Sequence, residues 1–181
     1  MIDLSPRSSE YKSALWLQSP HGHTLWGNFT RSRSLVEINR ESLATPDGDE
    51  LLLDSVSGDD DKPHLLILHG LEGSSFSPYA QGMLDGARKA GMSATVMNFR
   101  SCARRLDDRR TWIPHKRPRL YHSGETTDLD FIVRTLKERS PDQELLLFGV
   151  SLGGNVILKW LGEQGEDAMV SAAAVLSVPY D

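Results

Sequence analysis

Past residue 63 the chain settles into a regular rhythm of short apolar runs and amphipathic stretches. "HLLILHG" (64–70), "SATVMNF" (93–99), "ELLLFG" (144–149) and "SAAAVLSV" (171–178) have the form of strands buried on both faces. Between the first two, "SPYAQGMLDGARKAG" predicts a helix with Ser77 as N-cap, Pro78 in the first turn and Gly91 as the stop. "GETTDLDFIVRTLKERS" sets Leu129, Ile132, Val133 and Leu136 at i, i+3, i+4 and i+7, the stripe of a helix packed on one face. "SLGGNVILKWLGEQG" predicts a third helix, with Val156, Ile157, Trp160 and Leu161 turned inward. Upstream, "ESLATPDGDELLLDSVSG" predicts strands near 41–45 and 51–56, joined by a turn at Pro46-Asp47-Gly48-Asp49. Strands that alternate with helices imply βαβ units. The fold class is therefore α/β, with a mostly parallel sheet covered by helices on both faces.

Residues 1–40 lack this rhythm but carry Trp16, Leu17, Leu25, Trp26 and Phe29. Large aromatics favour burial, so this stretch is expected to be an arm packed on a domain that spans 41–181. A chain of 181 residues can bury a genuine core. Its net charge of −5 gives no support to nucleic-acid binding. Cys102 is the single cysteine, so no internal disulfide can form, which fits a reducing compartment. The N-terminus has no apolar signal region, and no stretch approaches the ~20 apolar residues of a membrane span. A cytoplasmic location is the expectation.

The chemistry is concentrated where "ELLLFG" passes into the third helix. Gly149-Val150-Ser151-Leu152-Gly153 matches G-x-S-x-G at a strand-to-helix junction, the setting of a nucleophile elbow. A strand that reverses at once into a helix holds its corner residue strained and projecting, and glycines on either side admit the close backbone. Ser151 then stands at a helix N-terminus, where free N–H groups favour developing negative charge. The plainer alternative is a serine that merely caps the helix. Acyl transfer also needs two oxyanion donors. One is the N–H of Leu152; the other is expected from the turn in "LILHGLEGSS", where Gly70 lets the chain bend and Leu71 presents its N–H. His69 precedes that turn and is read as a brace for it, because the catalytic base of this fold follows the serine.

"HGLEGSSFSPY", "NFRSC", "LYHSGETTDL" and "GVSLGGN", in this order, resemble the YheT-like branch of the α/β-hydrolases, a group of esterases and lipases. "HGHTLWGNF" is similar to the family's N-terminal segment, with His23 where glutamine is more usual. The resemblance implies hydrolysis of carboxylic esters, often fatty-acyl or acylglycerol esters, by a Ser-Asp-His triad with no cofactor and no metal. By matching position it implies Ser151 as nucleophile and Leu71 and Leu152 as oxyanion donors. The sequence departs from the family at Ser101, usually glycine, and in the longer link "ARRLDDRRTWIPHKRPRL".

The order Ser, acid, His has no counterpart here after Ser151, since His21, His23, His64, His69, His115 and His122 all precede it. Both partners are expected beyond residue 181, so the hydrolase fold is expected to be incomplete, lacking its last strands and lid. Asp181 would serve as the acid only in an unusual topology. Two rival readings follow: a catalytically inactive interaction module, and an acyltransferase that uses the same serine. Residues 100–119 hold Arg100, Arg104, Arg105, Arg109, Arg110, Lys116, Arg117 and Arg119. The plain reading is a solvated loop with local ion pairs; the sharper one is peripheral attraction to anionic lipid headgroups. His122 and Glu125 lack a third ligand for a metal and are read as packing or capping groups.

Overall fold

The computed structural model describes residues 12–30 and 36–179. The chain divides into two compact units at about residue 33. In the first, α1 (Pro20–Thr30) starts at a serine-proline pair whose Ser19 Oγ accepts the Gly22 N–H at 3.0 Å. Trp16 and Trp26 meet edge-on there, with ring centroids 4.8 Å apart. Asp181 and the first eleven residues lie outside the described residues.

The second unit carries the α/β architecture. Its strands are β1 (Asn39–Ala44), β2 (Glu50–Val56), β3 (His64–Leu68), β4 (Ser93–Asn98), β5 (Leu145–Val150) and β6 (Ala172–Leu176). Its helices are α2 (Pro78–Lys89), α3 (Thr127–Arg139) and α4 (Leu152–Gln164). They form one sheet in the order β1-β2-β4-β3-β5-β6. β3, β4, β5 and β6 run parallel, whereas β2 pairs antiparallel with both β1 and β4. The hairpin that the turn chemistry predicts is thus present, and it opens the sheet as an antiparallel margin.

Alternation along the strands supplies both cores. On β3, Leu66 and Leu68 face Leu129, Ile132, Val133, Val156, Ile157 and Trp160 of α3 and α4. Leu65 and Ile67 face the other way, against Ala80, Leu84 and Ala87 of α2. β3 is buried on both sides from Leu65 to Leu68, which is why that run is apolar at successive positions and shows no period of two. Leu161 is only partly buried, unlike the other three inward positions predicted on α4. β6 departs from the buried strand that its apolar run predicts: it lies at the sheet margin, with β5 on one side, and Ala172, Ala173, Ala174 and Leu176 are exposed. Among the described residues no helix is long and apolar enough to cross a membrane.

Candidate active site

Because β3, β4 and β5 are parallel and in register, their C-terminal ends fall along one edge of the sheet: Leu68 lies beside Met97 on one side and Gly149 on the other. Ser151 is the single residue between β5 and α4. Its backbone sits at φ 52° and ψ −117°, a region that costs a residue with a Cβ on the order of 1–3 kcal/mol. The Ser151 N–H donates to Leu176 O at 2.8 Å, and its C=O accepts the Asn155 N–H at 3.0 Å. Its hydroxyl makes no capping bond to the helix, which removes the plainer alternative of a serine N-cap.

Close packing makes the corner possible. A Cβ on Gly153 would stand 2.5 Å from His69 O and 2.6 Å from Leu68 O, so the first turn of α4 rests on the bare backbone at the end of β3. A Cβ on Gly149 would meet Gly154 Cα at 2.7 Å. Neither neighbour can rotate aside, since both are main chain in packed elements. We expect Gly153→Ala to lower stability by about 3 kcal/mol. Gly82→Ala, at an exposed position of α2 with nothing near its would-be Cβ, should instead raise it by about 0.5–1 kcal/mol. Urea midpoints of the two variants check the contrast, and equal midpoints would refute the packing argument.

The turn after β3 reaches the serine. A Cβ on Gly70 would lie 3.4 Å from Ser151 Cβ and 3.4 Å from Val150 O, so this turn packs against the corner. The Leu71 side chain is 70% exposed; its tie to the site is through its backbone and not through packing. The Leu71 N–H has no acceptor among the described residues, and the Leu152 N–H, first in α4, has none within the helix. The structure therefore brings Ser151, Leu152 and the Gly70-Leu71 turn together.

His69 is fully buried. Its Nδ1–H donates to Gly70 O at 2.7 Å, and its Nε2 accepts the Phe99 N–H at 3.0 Å. Both nitrogens are thereby occupied by main chain. Burial pushes its pKa down to about 4, against the opposing effect of the Gly70 bond. A neutral imidazole locked in one tautomer is a brace, as the sequence suggests.

Four of the eight basic residues of the stretch are ion-paired: Arg100, Arg105, Lys116 and Arg119. Arg100 is buried and bonds Asp128 through Nε at 2.8 Å and Nη2 at 2.7 Å, with Asp47 at 3.0 Å and Asp49 at 3.2 Å. Asp49 also accepts the Lys116 and Arg117 N–H groups at 2.9 and 3.0 Å. Arg119 pairs with Asp47 and Glu125, Arg105 with Asp107, and Lys116 with Glu50. Arg104 lies over the Trp112 ring at 3.6 Å. Arg100 is therefore taken out of any headgroup-facing set. Ser101 has φ 61°, a left-handed backbone that glycine adopts more readily than serine, and its hydroxyl bonds His115 Nδ1.

The lesser candidates resolve locally. His122 Nδ1 accepts the Gly124 N–H at 3.1 Å, and Glu125 accepts the Thr127 N–H at 2.9 Å ahead of α3. The Cys102 thiol is buried, which raises its pKa and keeps it protonated. Tyr79 and Tyr121, inside "HGLEGSSFSPY" and "LYHSGETTDL", bond the turn after β3 through their phenols. Their presence beside "HGLEGSS" and in "LYHSG" is the only sequence signal for them.

The sheet order, the parallel strands and the sharp serine corner define an α/β-hydrolase fold. Crystallised hydrolase GrgF from Penicillium sp. sh18 shares that fold, with a TM-score of 0.64 at 17% identity over 81% of this chain and 47% of that one. No family model matches the chain. It is 37% identical to "Putative esterase YheT" of Escherichia coli (strain K12) over 143 residues, 77% of this chain and 40% of that protein. It is 30% identical to "Phospholipase ABHD3" of Bos taurus over 179 residues, 94% of this chain and 42% of that protein. The chain belongs to the YheT-like branch of the α/β-hydrolases. It spans about 40% of the length of these two curated relatives.

Proposed function

We propose that the protein is a carboxylic ester hydrolase for fatty-acyl or acylglycerol-type esters, with Ser151 as nucleophile and the Leu71 and Leu152 N–H groups as oxyanion donors. The observation that carries this reading is the corner itself. A serine is held at φ 52°, its hydroxyl does not cap the helix that follows, and the Gly70 turn packs beside it. Such strain persists only where surrounding packing enforces it, and it gathers at reactive sites. The names of the relatives, an esterase and a phospholipase, support the ester class.

In the reaction, Ser151 Oγ forms a bond to the ester carbonyl carbon as its proton passes to a base. The carbonyl oxygen becomes an oxyanion that accepts the two N–H groups. Collapse expels the alcohol, which takes up the proton. Water then attacks the acyl-serine, releases the acid and restores the hydroxyl. No histidine follows Ser151 in these 181 residues, and His69 is committed to main chain, so the base is assigned to no residue of this chain.

A fluorophosphonate probe tests the proposal on the product of the complete reading frame. Peptide mapping should place the adduct on Ser151. A protein that takes up no probe, or takes it up at another serine, would overturn the reading.

A further inference from the structure

The turn after β3, which the motif "LYHSG" reaches through Tyr121, is held at each of its peptide planes. Three successive peptide planes run from His69 to Glu72, and each is fixed by a separate partner. In the first, the Gly70 N–H donates to the Tyr79 hydroxyl at 2.8 Å. In the second, the Gly70 C=O accepts the His69 Nδ1–H at 2.7 Å and the Gly73 N–H at 3.0 Å. In the third, the Glu72 N–H donates to the Tyr121 hydroxyl at 2.9 Å.

The consequence follows from peptide geometry. In a planar trans peptide the C=O and N–H point to opposite sides, so fixing Gly70 O on two donors also fixes the direction of the Leu71 N–H. The amides on either side of it are each consumed by a phenol. Of the three N–H groups at 70, 71 and 72, only that of Leu71 has no acceptor among the described residues. Glu72 itself sits at φ 54°, a conformation a non-glycine residue keeps only when it is tied down. Its tie comes from a residue 49 positions away.

Tyr121 is well placed to hold firm. Its ring stacks on Phe99 at 5.0 Å and 11°. Phe99 meets His69 edge-on at 4.9 Å and gives His69 its N–H. The braces on two sides of the turn therefore share one aromatic column. Burial raises the Tyr121 pKa to about 12, so the phenol stays neutral through the working pH range and keeps its acceptor role. Tyr79, from the first turn of α2, lies so close that a Cβ on Gly73 would stand 2.9 Å from its oxygen. That closeness explains the glycine there.

We infer that Tyr121 and Tyr79 are positioning residues for the oxyanion turn: their phenol oxygens take up the Glu72 and Gly70 amides, so that the Leu71 N–H alone is presented to the developing oxyanion. This rests on the reading of Ser151 and Leu71 given above. It assigns "LYHSG" its task, and it joins the long loop after β4 to the reacting centre through Tyr121.

Tyr121→Phe separates positioning from packing, because it keeps the stacked ring and removes only the oxygen. Fluorophosphonate labelling of Ser151 in the full-length gene product is resolved into a reversible binding constant and a maximal rate. Positioning predicts a maximal rate at least 10-fold lower, since losing a whole oxyanion donor costs about 10²–10³. The binding constant should be unchanged, and the Glu72 amide should exchange hydrogen faster than in the parent. Tyr79→Phe should act likewise through the Gly70 amide, which keeps the test available if one variant does not fold. Parent-like rates in both phenylalanine variants would overturn the inference and leave the serine reading standing. A parent that takes no label at Ser151 would overturn the serine reading and the inference with it.

Discussion

Replacing Ser151 by alanine is expected to lower ester hydrolysis by the full-length gene product on the order of 10⁶-fold, the scale seen when a triad serine is removed. Replacing it by glycine should abolish activity to the same extent and raise stability by about 1 kcal/mol. The two variants differ because of the backbone. Alanine keeps a Cβ at φ 52° and so keeps the strain, whereas glycine releases it. The release is on the order of 1–3 kcal/mol, offset in part by the greater freedom glycine has in the unfolded chain. Hydrolysis of a p-nitrophenyl ester and a urea midpoint read the two effects independently. Activity retained in Ser151→Ala would remove the serine from the mechanism. A glycine variant no more stable than the alanine variant would show that the corner stores no energy.

The same corner shows what a sequence makes legible. Strands that are apolar at every position and helices with a stripe at i, i+3, i+4 announce a covered parallel sheet, because each pattern reflects burial within one element. The elbow is legible for a related reason: its glycines lie two residues either side of a serine at a strand-to-helix junction, the spacing a nucleophile elbow requires. Contacts that cross the chain leave no such trace. Pro46-Asp47-Gly48-Asp49 reads as a turn, which it is, yet its carboxylates also anchor Arg100 and the backbone at 116–117. Local pairing of the arginines after β4, such as Arg105 with Asp107, can be read from the sequence, whereas the burial of Arg100 against Asp47 and Asp49, more than fifty positions upstream, cannot. Tyr79 and Tyr121 are hidden for a further reason. A neutral phenol that accepts a main-chain N–H imposes no periodicity and no charge complement on its neighbours. α1 is not evident from the aromatic pattern of its stretch, although Ser19-Pro20 is an ordinary helix start.

Acid should unfold this chain earlier than its carboxylates alone would require. His64 and His69 are both held neutral in the fold, with pKa values pushed by burial from 6.5 to about 4. The His64 ring lies between two hydroxyls, Thr95 Oγ1 at 2.9 Å from Nε2 and Ser93 Oγ at 2.9 Å from Nδ1. A neutral ring can donate to one and accept from the other. His69 faces a carbonyl and an N–H, so its protonated form would set a second donor against Phe99 N–H. Protons therefore bind the unfolded chain in preference to the folded one. The stabilisation from a neutral site is complete above pH 6.5 and is lost as pH falls through the window down to about 4. One such shift corresponds to roughly 3 kcal/mol, and the two together to about 6, of the same order as the 5–15 kcal/mol that holds a typical domain. Carboxylates come later. Burial disfavours the Glu125 charge, but bonds from Arg119 and Thr127 outweigh it and hold its pKa near 2, so its contribution fades only below pH 4.5. Urea midpoints taken between pH 7.5 and 4.5 should fall most steeply from pH 6 downward. His64→Gln, which can serve both hydroxyls without titrating, should remove about half of that slope. A midpoint that stays level between pH 7.5 and 5 would mean that the two rings are not held neutral by the packing around them.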